Sequence, residues 1–221
     1  MKIVTRKLAK PKSSSTQIAV PKRGQMPPGM ADEISFTSNL FYKKPLAPYN
    51  PDGLVGRKGL RIYKKMMTDE QIQAAISAKQ FAVLSTGFEV VPPEADTDAE
   101  KTLSEEMADF MEFNLQEMEG SFDSKLLEIM SSLTYGFSVS EIILKNIDSG
   151  NWSGMIGLAA LKTRQPFTFD FETDGHGNLT DDGVLQNKSM RYPRTKFLIH
   201  SYRKTFDNIY GESDLRSCYR A

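Results

Sequence analysis

The chain has 221 residues, with 28 basic and 28 acidic side chains and a formal charge of zero. That length suits one or two domains, and no run of 18 apolar residues provides an ordinary membrane-spanning helix. One cysteine, Cys218, excludes an internal disulfide framework and a multi-cysteine metal site, and two histidines, His176 and His200, leave little for a histidine-rich one.

The zero charge hides a division. Residues 1–65 hold 14 Lys and Arg against 3 Asp and Glu, a local charge of +11. Residues 66–221 hold 14 basic and 25 acidic groups, a local charge of −11. Six prolines among the first fifty residues, with Ser13-Ser14-Ser15-Thr16, argue against a packed core there, because proline removes a backbone donor and fixes φ. Residues 1–65 therefore read as a basic, proline-rich extended arm, and 66–221 as an acidic body. Composition leaves two readings of the arm open: a solvated tail, or a segment ordered on a neighbouring subunit or on nucleic acid.

Along the body, Thr68-Asp69-Glu70-Gln71 has capping-box spacing and predicts a short helix to about Lys79, with Ile72, Ala75 and Ile76 as its stripe. Phe81 to Val91 reads as a strand closed by Pro92-Pro93. A second capping box, Thr97 to Glu100, predicts the longest helix, with Leu103, Met107, Phe110, Met111, Leu115 and Met118 at helical spacing and a stop at Gly120. Asp123 is expected to cap a third helix with Leu126, Ile129, Met130 and Leu133 on one face, broken at Tyr135-Gly136. Phe137 to Ile147 is rich in β-branched residues and predicts a strand, followed by a hairpin turn at Asp148-Ser149-Gly150-Asn151. Phe167, Phe169 and Phe171 alternate with polar residues as a strand does; Asp174 to Asn178 is turn chemistry, and Lys196 to Tyr202 supplies another strand. Ser213 can cap a short terminal helix through Leu215, Cys218 and Tyr219. Helices preceding antiparallel or mixed strands make an α+β arrangement.

Few residues carry chemistry. Gly56-Arg57-Lys58-Gly59 has the spacing that clamps a nucleic-acid backbone, but the same four residues make an ordinary basic turn. His176 falls in a glycine-flanked turn, His200 in a strand, and Cys218 reads as a small packing residue. Glu105, Glu106, Asp109, Glu112 and Glu117 lie off the apolar stripe of the long helix, where solvated charge is the ordinary expectation, and Asp181-Asp182 fall in a loop. Glu141, inside an apolar strand, predicts a structural ion pair, since a buried carboxylate needs a partner. Trp152 and the three phenylalanines could stack bases, although an alternating aromatic strand ordinarily faces a core, and an acidic body repels phosphate. No catalytic, cofactor-binding or metal-binding residues are assigned.

The order of three segments resembles the portal proteins of tailed bacteriophages, in particular the Mu-like family. They are Thr68 to Val91; Leu126-Leu127-Glu128-Ile129-Met130 leading to Tyr135-Gly136-Phe137-Ser138-Val139-Ser140-Glu141; and Leu161 to Asp170, followed by Lys196-Phe197-Leu198-Ile199-His200 and Tyr210-Gly211-Glu212-Ser213-Asp214-Leu215-Arg216. Ile209 precedes Tyr210-Gly211 where Mu-like relatives often carry Asn-Pro. The resemblance spans roughly residues 60–221 and implies the N-terminal part of a portal wing, with stem and clip expected beyond 221. It further implies a non-enzymatic ring, typically of twelve subunits, at one capsid vertex of the virion. Double-stranded DNA would pass through the ring, and terminase, the major capsid protein, head-completion proteins and tail would dock on it. On that reading Lys7, Lys10, Lys12, Lys22, Arg23, Arg57 and Lys58 are candidate contacts to DNA, capsid or a neighbouring subunit. A nucleic-acid-binding module using the basic arm is the alternative, and an enzyme using the acidic helix a third reading.

Overall fold

A computed structural model describes residues 50, 52–173, 179–205 and 208–219. The stretch expected to continue the extended arm is helical at its end. Two short helices, α1 (Gly53–Lys58) and α2 (Arg61–Met66), send Leu54, Leu60 and Tyr63 into the core. Asp52 caps α1, whereas α2 has no side-chain cap; six consecutive residues without proline suffice for each turn once tertiary contacts cover one side.

Helix α3 (Glu70–Leu84) begins one residue later than the Thr68 box suggests. Asp69 is the cap, accepting from the backbone N–H groups of Gln71 (2.9 Å) and Ile72 (3.2 Å), while the Thr68 hydroxyl closes the preceding turn on the Lys65 carbonyl. The strand expected over 81–91 is not formed. Phe81 to Leu84 complete α3, because Ile72, Ile76 and Leu84 continue one helical row, and the hydroxyls of Ser85 and Thr86 donate to the Ala82 and Val83 carbonyls to end it.

Helix α4 (Asp98–Glu117) starts with the capping box read from sequence, Thr97 and Glu100 bonding reciprocally, and ends at Met118, two residues before Gly120. Helix α5 (Phe122–Ile129) is capped by Ser121 rather than Asp123, and a separate turn, α6 (Ser132–Tyr135), ends on left-handed Gly136.

The strands are β1 (Phe137–Asn146), β2 (Ile156–Arg164), β3 (Phe169–Thr173), β4 (Leu179–Gln186), β5 (Met190–Tyr192) and β6 (Phe197–Ser201). They form two antiparallel three-stranded sheets, β2-β1-β6 and β3-β4-β5. The hairpin expected at 148–151 joins β1 to β2, whereas Asp181 and Asp182 lie within β4, not in a loop. The body is therefore α+β, as expected. Phe169 and Phe171 face inward at 3% and 0% exposure, and Phe167 sits outside the strand in a short 3-10 turn.

The two sheets meet through aromatic side chains. Phe137 of β1 packs edge-on against Phe171 of β3 (centroids 5.5 Å apart) and against Tyr210 (5.3 Å), and Phe169 meets Phe197 at 5.7 Å. Tyr210 also accepts the Phe171 backbone N–H at 3.3 Å, so its hydroxyl is satisfied inside the core. Edge-to-face packing of this kind adds roughly 1 kcal/mol per pair beyond area burial.

Candidate functional site

The two Tyr-Gly pairs separated by some 75 residues of sequence are brought together. Gly136 sits at φ +86°, and a Cβ there would lie 2.6 Å from the Gly211 carbonyl oxygen. A Cβ on Gly211 would lie 1.9 Å from the Tyr202 carbonyl oxygen and 2.2 Å from that of Gly136. The absence of side chains lets the backbones touch: Tyr202 N–H donates to the Gly136 carbonyl (2.7 Å) and Glu212 N–H to the Tyr202 carbonyl (2.9 Å). Ser213 then bonds the Thr134 carbonyl, and its oxygen also caps the 3-10 turn Asp214–Cys218 at Leu215 N–H (3.0 Å).

This C-terminal segment clamps the first helices. Asp52, only 2% exposed, caps α1 through Leu54 N–H (2.9 Å), accepts the Tyr63 hydroxyl, and pairs with Arg216 at 3.3 Å. Burial, and then the bond to Asp52, push the Tyr63 phenol well above its ordinary range. On the outer side of the same two helices stand Arg57, Lys58, Arg61, Lys64 and Lys65, all exposed, with no acidic residue between them. Arg61 lies over the Phe167 ring at 5.1 Å. Gly56 to Gly59 form the last turn of α1 and its cap, with Gly59 N–H bonded to the Val55 carbonyl (2.8 Å), rather than a free phosphate-gripping loop. Of the sequence-predicted contacts, Arg57 and Lys58 thus join a larger basic face. Lys7, Lys10, Lys12, Lys22 and Arg23 lie outside the described residues, as does His176.

A second cluster escaped the sequence reading. Asp214 pairs with Lys79 (2.7 Å) and Arg203 (3.1 Å) and accepts the Tyr202 hydroxyl (3.2 Å), beside a cavity of about 390 Å³ lined also by Ile72, Ile76 and Cys218. The Asp214 bond raises the Lys79 ammonium above its usual value. The partners come from three distant segments, which spacing could not bring together. Cys218 is exposed at the rim rather than packed, since the 3-10 turn carries it outward. His200 lies on β6 and is exposed.

Glu141 is 0% exposed and pairs with Arg164 at 2.8 Å across β1 and β2, the structural ion pair expected. Burial lowers the Arg164 guanidinium from its usual value. Trp152 packs on Phe110 at 5.0 Å, serving the body rather than a stacking platform. The acidic residues Glu105, Glu106, Asp109, Glu112 and Glu117 all stand in solvent. Among the described residues, no group of three or more His, Cys, Asp or Glu is placed to hold a metal ion. Nor is any helix there long and apolar enough to cross a membrane.

The body is an α+β fold held by close backbone contacts between distant segments and by buried ion pairs. The chain belongs to the Mu-like phage portal proteins: the family model described as the portal protein of Mu bacteriophage matches residues 60–221, from the start of α2 through the Tyr210-Gly211 segment and the 3-10 turn. The family is structural, and places the chain in the context of phage particles and their assembly. No curated protein matches the chain.

Proposed function

We propose that this chain is a subunit of the portal ring at one capsid vertex, a closed assembly of typically twelve copies through which double-stranded DNA enters and leaves. The observation that carries the reading is the family match over the whole described body from residue 60, including the β1 core and the paired Tyr-Gly segments. Such a ring is built from head-to-tail, heterologous contacts and offers docking sites to terminase during packaging and to head-completion proteins and tail afterwards. The major capsid protein surrounds it. The charge division supports the reading. Acidic surface along a channel lets DNA slide, since every cation that held a phosphate would add salt-sensitive affinity. Basic residues Lys7, Lys10, Lys12, Lys22 and Arg23, with Arg57 and Lys58 on α1, then serve as contacts to DNA, capsid or a neighbouring subunit.

Negative-stain electron microscopy of the full-length gene product tests this. A ring with a central hole is expected, and a uniform small monomer under assembly-permissive conditions would overturn it. Deleting residues 1–30 is expected to impair ring assembly, capsid incorporation or DNA retention; no change in any of the three would remove the arm from the account.

The five exposed cations of α1 and α2 favour a second reading, a nucleic-acid-binding module. It predicts a monomer or dimer whose DNA affinity falls steeply with salt, by a log–log slope of about 0.9 per phosphate contacted.

A further inference from the structure

Helix α4 carries one apolar face along its length, and that face is covered only in part. Phe110 packs against Trp152, Asn114 Oδ1 accepts the Leu158 N–H (2.5 Å), and Met118 is 4% exposed. Leu103, Met107 and Met111, spaced i, i+4, i+8, are 56%, 58% and 52% exposed. The helix around them holds seven acids and a single base, Lys101. An apolar row of this kind, set in carboxylates, fits a segment that is basic and interspersed with aliphatic residues.

The chain contains one. Its first 49 residues hold nine Lys and Arg against two acids, and the first ten place Ile3, Val4 and Leu8 among Lys2, Arg6, Lys7 and Lys10. We propose that, in the unassembled subunit, the exposed part of the α4 face is the docking surface for the chain's own N-terminal segment, residues 2–12. Aliphatic side chains cover Leu103, Met107 and Met111, and the cations face Glu100 and Glu106, which flank that row on the helix. Reach does not limit this. Extended chain spans about 3.3 Å per residue, so the residues between 12 and 50 outdistance a body whose radius of gyration is about 15 Å. The tether favours the chain's own segment over that of another copy, because its effective concentration is on the order of millimolar. The proposal concerns the free subunit and does not require the ring.

Methionine oxidation tests it on the monomeric fraction of the full 221-residue chain. Dilute peroxide is followed by mass spectrometry, comparing the natural chain with one in which Lys2, Arg6, Lys7, Lys10 and Lys12 are all changed to Glu. Met107 and Met111 are expected to oxidise about sixfold more slowly in the natural chain, the protection that 1 mM effective concentration gives against a dissociation constant of about 0.2 mM. Met190, 39% exposed on β5, should oxidise equally in both. High salt should remove the protection in the natural chain, which keeps the test independent of how well the variant folds. Equal rates for Met107 and Met111 in the two chains, or protection insensitive to salt, would overturn the proposal. Protection that vanishes on dilution would overturn it too, by assigning the surface to a second copy.

Discussion

Two stretches of the apolar face of α4 have the same helical spacing and opposite surroundings, and the difference separates what a helical pattern can fix from what it cannot. Met118 and Met107 both fall on the apolar row, yet Met118 is 4% exposed and Met107 58%. Periodicity decides which side of a helix is apolar; only the tertiary neighbour decides whether that side is covered. Near Met118 the neighbour is β2, which pins the helix through Asn114 and through Glu119 N–H on the Ala159 carbonyl (2.8 Å). Leu103, Met107 and Met111 instead face outward, and an exposed apolar patch of that kind ordinarily marks an interaction site.

The sharpest contrast to that open face is the closure between Gly136 and Gly211. Gly211→Ala would place a methyl 1.9 Å from a carbonyl oxygen, with backbone on every side and no flexible side chain to yield. The substitution should cost roughly 4 kcal/mol or more, in the range reserved for disrupted cores, and urea unfolding would show it as a large fall in midpoint. A loss of under about 1 kcal/mol would mean the backbones are not in contact there.

Arg164→Met comes next. It leaves Glu141 fully buried without the guanidinium it pairs with at 2.8 Å, and the loss should be about 3–5 kcal/mol. Replacing the pair together, Glu141→Leu with Arg164→Met, should recover most of that loss, because both charges then leave the interior. Thermal unfolding of the single and double variants checks the recovery.

Comparing Met118→Ala with Met107→Ala tests the two stretches of α4 directly. The buried methionine should cost about 2–5 kcal/mol and the exposed one about 0.5 kcal/mol or less. Similar losses at the two sites would show that the stretch around Met107 is covered as tightly as that around Met118.

The capping box at Thr97, the β1 strand, the hairpin after it and the inward Phe169 and Phe171 were all legible in sequence, because each is set by residues within a few positions of one another. The helix-then-Tyr-Gly-Phe order also carried the family. What stayed hidden depended on distant segments. VLSTGFEVV has β-branched residues enough for a strand, but the Ile72–Ile76–Leu84 row continues the helix into it, and among the described residues no strand pairs with it. Helices α1 and α2 lie next to a proline-rich, basic stretch and are held by contacts distant in sequence, among them Arg216 on Asp52, 164 residues away. The Asp214 cluster joins residues from α3, the segment after β6 and the terminal turn, a combination that no spacing rule connects.

Asp170 gives the smallest effect and probes the edge of the packed core. It lies on β3 opposite Leu185, and burial raises its carboxyl above the ordinary 3.8, with Lys188 pulling part of the way back. Above pH 3.8 and up through the raised native value, the folded chain holds a proton that the unfolded chain has released. Stability conferred by this group is therefore fully present below pH 3.8 and declines as pH rises through that interval. Asp170→Asn removes the titration, so the variant should gain on the natural chain as pH is raised from 3.5 toward 7, as read from paired melting temperatures. A flat response would place Asp170 in water and loosen the β3–β4 face from the core that Phe171 and Tyr210 close.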